Sequence, residues 1–125
     1  MFKKIVFIAL IMATAKSYAE PPNLNGWTLI SGDPTIYNYM KNGSFKASSS
    51  NYSSLVQMVY PDSSSTEYYK MEVSRDDCKS GYGEIRYRKL SGEIYRRFDF
   101  VEGAGSINSA NANILCSIGK LKEQN

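Results

Sequence analysis

The sequence predicts an α+β domain: a single antiparallel β-sheet of about five to six strands in a meander, a C-terminal α-helix packed on one face, and one disulfide. Three observations predict it. Short consecutive segments between residues 55 and 101 alternate apolar and polar side chains, the mark of strands with one buried and one wet face. Only the tail after Ser106 repeats apolar residues at helical spacing. The chain's two cysteines, Cys78 and Cys116, lie at the end of one alternating segment and in that tail.

The first nineteen positions stand apart from this pattern. Lys3 and Lys4 precede the apolar run from Ile5 to Met12, and Ser17-Tyr18-Ala19 closes with small side chains at −3 and −1 of a cut after Ala19. That is the layout of a cleavable secretory signal peptide over 1–19, leaving one domain over 20–125. Ala13-Thr14-Ala15 offers an earlier cut that would leave Lys16 at the new terminus. The apolar run falls short of the ~20 residues that span a bilayer, so no membrane span is expected after processing. No cysteine follows the run to carry a lipid. The expected location is therefore the periplasm, the cell surface or the medium.

Glu20 to Gly26, with Pro21 and Pro22, reads as an extended lead-in. Trp27 to Ser31 is a short strand closed by Gly32-Asp33-Pro34, and Thr35 to Tyr39 another that ends at the hairpin signal Asn42-Gly43. Ser44 to Ser50 is polar, an edge strand or loop. Leu55 to Tyr60 places Val56, Met58 and Tyr60 on one face. Tyr68 to Asp77 alternates Tyr69, Met71 and Val73 against Lys70, Glu72 and Ser74. Tyr82 to Lys89 sets Ile85 and Tyr87 against Glu84, Arg86 and Arg88, and Glu93 to Val101 carries Ile94, Phe98 and Phe100. Arg96 is out of place among those three; a bulge re-aims it, or an acid at the sheet margin pairs with it.

In the tail, Ile107, Ala110, Ile114 and Ile118 form the expected buried stripe, with Ser106 as N-cap and Gly119 as stop. Asn108, Asn111 and Asn113 are mediocre helix formers, so the helix depends on packing. At ~100° per residue Cys116 falls roughly opposite Ile107, off that stripe. Two cysteines in an exported chain read first as a disulfide, with two free buried thiols as the alternative. A Cys78–Cys116 bond closes a loop worth about 4 kcal/mol in the chain-entropy account.

Composition excludes more than it assigns. The formal charge of +3 comes from 15 Lys and Arg against 12 Asp and Glu, but Lys3, Lys4 and Lys16 lie in the leader, leaving 12 against 12. Neutrality gives no reason to expect nucleic acid as a partner. The chain has no histidine, which removes the usual general base, and two cysteines cannot complete a tetrahedral zinc set. Asp76 and Asp77, adjacent on a predicted strand, point apart and make a poor acid pair. No enzyme, metal or cofactor is expected. Asn42-Gly43-Ser44 and Asn51-Tyr52-Ser53 match the glycosylation pattern, which turn chemistry explains better.

The features also come in a distinctive order. Trp27-Thr28-Leu29 opens the domain; a tyrosine-rich strand, Tyr68-Tyr69-Lys70-Met71-Glu72-Val73, runs to Asp77-Cys78. Ile85-Arg86-Tyr87, a glycine turn and another strand follow, and a small-residue helix from Gly105 ends in Cys116. Over nearly the whole mature chain this resembles the surface-adhesin protein E family of Gram-negative bacteria. The resemblance implies a sheet and a disulfide-linked C-terminal helix. It also implies an envelope binding protein with host matrix or serum proteins, and haemin, as family ligands. Two departures qualify it: the lipidation cysteine of the best-known members is missing, and no histidine is present as an axial haem ligand.

Two groups are candidate ligand-binding residues. Arg86 and Arg88 share a strand face and meet Arg97 across the hairpin in a patch for anionic groups, within the dense cluster that includes Lys89 and Arg96. Interspersed Glu84, Glu93 and Asp99 make a merely solvated face the plainer reading. Among the mature tyrosines, Tyr68 and Tyr95 fall on the polar faces and are the expected exposed pair. The functional expectation is a non-enzymatic envelope protein that binds a macromolecule. The alternatives are a periplasmic inhibitor or immunity protein against a cell-wall hydrolase, and a structural envelope subunit.

Overall fold

The computed structural model describes residues 20–124; the predicted leader lies outside them. One antiparallel sheet carries a helix on one side. Its strands are β1 (Trp27–Asp33), β2 (Ile36–Lys41), β3 (Lys46–Ala47), β4 (Asn51–Tyr60), β5 (Ser65–Ser74), β6 (Tyr82–Arg88) and β7 (Ile94–Val101). They run in the order β1-β2-β4-β5-β6-β7, with the short β3 paired to β4. The helices are α1 (Arg75–Ser80), between β5 and β6, and α2 (Ile107–Glu123) at the end. The meander of the sequence reading holds, with β4 extended to Asn51 because its polar first half pairs with both β3 and β5.

Register assigns the faces. Val56 lies opposite Tyr69, Ser54 opposite Met71, Val73 opposite Ile85 and Ile85 opposite Phe98, so these side chains share one side of the sheet. α2 covers that side. The core joins Tyr52, Val56, Tyr69, Met71, Val73, Ile85, Tyr87 and Phe100 of the sheet to Ala112 and Leu115 of the helix. The other side, the open face, presents Leu29, Tyr39, Gln57, Tyr68, Lys70, Glu72, Arg86 and Arg97 in register.

The helix is rotated from its expected setting. Its buried residues are Ser109, Asn111, Ala112, Leu115 and Gly119, while Ile107, Ala110, Ile114 and Ile118 are only half-buried. Apolar spacing misled because asparagine, not isoleucine, faces the sheet, and a hydrogen-bond network satisfies it. Ser31 Oγ donates to Asn111 Oδ1 (2.6 Å); Asn111 Nδ2 donates to Tyr87 Oη (2.9 Å) and Asn38 Oδ1 (3.3 Å); the Tyr87 hydroxyl donates to Asn108 Oδ1 (2.9 Å). Gly119 does not stop the helix. It packs against the ring of Tyr52, where a Cβ would overlap the ring atoms, and α2 continues for another turn.

That rotation explains the disulfide. Cys116 follows Ala112 by one turn, at the flank of the true buried stripe, and bonds Cys78 with the two Cα atoms 5.4 Å apart. Cys78 is on a helix rather than a strand: Ser74 Oγ accepts from Asp77 N (3.0 Å) as N-cap, and Gly81, at φ 82°, ends the turn in the left-handed conformation. Asp76 and Asp77 are accordingly helical. Asp77 accepts from the Glu84 amide (3.1 Å), tying α1 to the start of β6.

Arg96 stays on the side of Phe98 and Phe100, as strict alternation places it, and no acid among the described residues pairs with it. The bulge falls one residue earlier and re-aims its neighbours instead. Arg96 lies opposite Tyr87 and Ile94 opposite Arg88, leaving Tyr95 as the extra residue. Ile94 consequently leaves the face of Phe98 and Phe100. Tyr95 turns to the helix side, where its ring stacks on Tyr69 at 4.9 Å and 10°. The Arg96 guanidinium sits 5.1 Å above the Tyr95 ring.

Candidate functional site

Alternation along β5 and β6 builds the basic part of the open face. Lys70 lies opposite Arg88, Glu72 opposite Arg86, and Arg86 opposite Arg97. The three arginines singled out from the sequence do meet. Arg86 and Arg88 share the counter-ion Glu72, which the sequence reading did not name as an offsetting acid, while Arg97 pairs with Glu84, which it did. Glu72 is only 6 % exposed. Its Oε1 accepts from Arg86 Nε (3.0 Å) and from Arg88 Nη2 (3.2 Å) and Nε (3.3 Å), while Lys70 Nζ approaches Oε2 at 3.9 Å. Burial works to raise the Glu72 carboxyl, but the hydrogen bonds and charge of Arg86 and Arg88 outweigh it and hold the group below its ordinary value.

One carboxylate thus fixes two guanidinium groups. Arg86 Nη2 also donates to Asn51 Oδ1 (3.0 Å), and Arg88 Nη1 to the Gly92 carbonyl (2.9 Å), so both forks are held at each end. Arg97 is more exposed and pairs with Glu84 at 3.7 Å. Around Glu72 the local balance remains positive, with Lys70, Arg86 and Arg88 facing one acid. A preorganised cationic surface is suited to carboxylates or other planar anionic groups.

A second part of the open face carries aromatic rings. Trp27, missed as a site residue, lies 6.0 Å from Tyr68, tilted at 55°. Tyr68 is 49 % exposed and Leu29 45 %. Tyr39 beside them is buried instead, its hydroxyl donating to the Pro22 carbonyl (2.6 Å) of the lead-in segment. The structure separates the other expected partner: Tyr95 is 41 % exposed but on the helix side, because the bulge adds one residue to the alternation. Tyr68 and Tyr95 therefore do not form one surface.

A groove of about 640 Å³ runs beside the disulfide. Arg75, Lys79 and Lys120 line it together with Glu102 and Glu123. Arg75 and the Tyr52 hydroxyl both bond Glu123, which fastens the last turn of α2 to α1. Charges of both signs and an internal ion pair make this a joint rather than a receptor. Among the described residues no group of three or more His, Cys, Asp or Glu is placed to hold a metal ion.

No family model, curated protein or solved structure matches the chain.

Proposed function

We propose that this chain is an exported, non-enzymatic binding protein of the adhesin E type. In this reading the open face engages an anionic patch on a matrix, serum or envelope protein. The observation that carries it is that Trp27 and Tyr68 share one sheet face with arginines held around the buried Glu72. Aromatic and arginine side chains dominate the energetics of protein interfaces, and fixing them beforehand lowers the entropic cost of binding. The Cys78–Cys116 bond fits an oxidising compartment outside the cytoplasm, as the leader-like first segment requires. Among the described residues no helix is long and apolar enough to cross a membrane.

The test is affinity capture with the chain from residue 20 onward, using host matrix and serum proteins and envelope extract as prey. A captured protein should be released by moderate salt and lost with Arg88→Glu or Tyr68→Ala. Capture indifferent to both substitutions would move the site off this face and refute the proposal. Antibody staining of intact cells separates the locations: staining only after outer-membrane permeabilisation removes surface adhesion.

A further inference from the structure

A second candidate site lies on the opposite side of the sheet. A cavity of about 380 Å³ opens between the first turn of α2 and strands β2, β4, β6 and β7. Ile36, Met58 and Ile107 give it apolar surface, and the rings of Tyr60, Tyr87, Tyr95 and Phe98 give it aromatic walls. Two polar features are unusual. Arg96 lies at its exposed margin, above the Tyr95 ring, and no carboxylate is within ion-pair distance of it among the described residues. Asn38 also lines the cavity, is wholly buried, and its Nδ2 has no hydrogen-bond partner.

The orphaned amide is the more telling. The other groups of its network are satisfied: Asn38 Oδ1 accepts from Asn111, Asn111 makes three hydrogen bonds and the Tyr87 hydroxyl two. A buried donor left unpaired costs about 1–3 kcal/mol, and native structures keep few of them. An acceptor brought into the cavity would relieve that cost. The arginine sets the other end. Glu67, the neighbouring carboxylate, is engaged by the Tyr69 hydroxyl at 2.9 Å, so the Arg96 charge is available to an anion from solution.

We propose that this cavity binds a small aromatic carboxylate, with its ring among the tyrosines, its carboxylate on Arg96 and a polar ring substituent directed at Asn38. Size selects the class. Small-molecule sites span about 300–1,000 Å³, and this one, at the low end, holds one ring or two fused rings. The walls select a ring over an alkyl chain, because aromatic pairs gain about 0.5–1.5 kcal/mol beyond the area they bury. The bulge supplies one of those walls, since without it Tyr95 would face the open side.

The test is an NMR titration of the isotopically labelled protein with three probes. They are 4-hydroxyphenylacetate, its neutral analogue 4-methylphenol, and the aliphatic octanoate. The first should give saturable shifts at the Asn38 side-chain amide, Arg96 Nε and the backbone amides of Ile107 and Asn108, with Trp27 and Tyr68 unmoved. The other two should bind at least about tenfold more weakly, and Arg96→Gln, at an exposed position, should weaken the first about tenfold. Octanoate binding as tightly, an unchanged affinity in Arg96→Gln, or shifts confined to the open face would each overturn the assignment. These readouts are independent of the open-face proposal.

Discussion

Glu72 is the residue on which the open face depends. Replacing it with glutamine leaves Arg86 and Arg88 in place but removes the charge that orients them. The expected loss of stability at neutral pH is about 2 kcal/mol, less than for a fully enclosed pair because both guanidinium groups are partly exposed. The pH dependence has a definite sign. The folded carboxyl titrates below its unfolded value of about 4.3, so its contribution is complete above that value and disappears as pH falls through the folded one. Urea unfolding at pH 7 and pH 3 should show a larger drop for the native chain than for Glu72→Gln. Equal drops would mean that Glu72 does not gate the acid response. Tyr87 acts at the other end of the scale. Burial pushes its phenol up to about 12, against a weaker opposing effect of the Asn111 hydrogen bond. Its contribution is therefore complete below about pH 10, where the unfolded phenol titrates, and declines above it. Tyr87→Phe should flatten that alkaline decline in unfolding experiments between pH 9 and 11.

At the scale of the elements, the strands were legible in the sequence and the faces of two elements were not. Tyr69, Met71 and Val73, and Ile85 with Tyr87, alternate without interruption, and each landed on the helix side. Alternation failed in β7 because a bulge changes the face without changing the composition: Ile94 and Tyr95 exchange sides, and only pairing with β6 reveals it. It failed differently in α2. Helical spacing of isoleucine gave a stripe, but the surface that packs on the sheet contains Ser109, Asn111 and Gly119. Polar side chains count as core only when their partners are known, and Ser31 and Tyr87 come from distant strands. Gly119 checks the corrected orientation. In a solvent-exposed helix Gly→Ala stabilises by about 1 kcal/mol. Here Gly119→Ala should destabilise by about 1–3 kcal/mol, because the methyl group meets the Tyr52 ring. A rise in melting temperature would contradict the packing.

At the scale of the whole molecule, one covalent link joins two helices that otherwise share the Arg75–Glu123 ion pair. Cys78 and Cys116 are 38 residues apart in sequence, and their loop encloses β6 and β7. The paired substitution Cys78→Ser with Cys116→Ser should lower stability by up to about 4 kcal/mol. The native chain should lose a similar amount on reduction, measured by guanidinium unfolding with and without reductant. An unchanged midpoint would show that α2 docks through its packing alone. The fold class and this pairing were readable because they rest on residue type and order. The candidate site was readable only in half: the arginines cluster as their strand positions require, while Glu72 as the anchor of Arg86 and Arg88 emerges from cross-strand register, and Trp27 as the neighbour of Tyr68 from packing across the face.

The meander itself bears on how such a chain acquires its shape. Apart from the short β3, every strand lies beside the one that precedes it, so a polypeptide delivered amino end first, from a ribosome or through a pore, can lay down each ribbon on arrival. The lid is the exception. Because α2 follows every strand in the sequence, the greasy side of the growing sheet stays bare until all of them have been delivered. This helix, which covers the apolar side of the sheet, therefore decides whether newly made molecules close on themselves or adhere to one another.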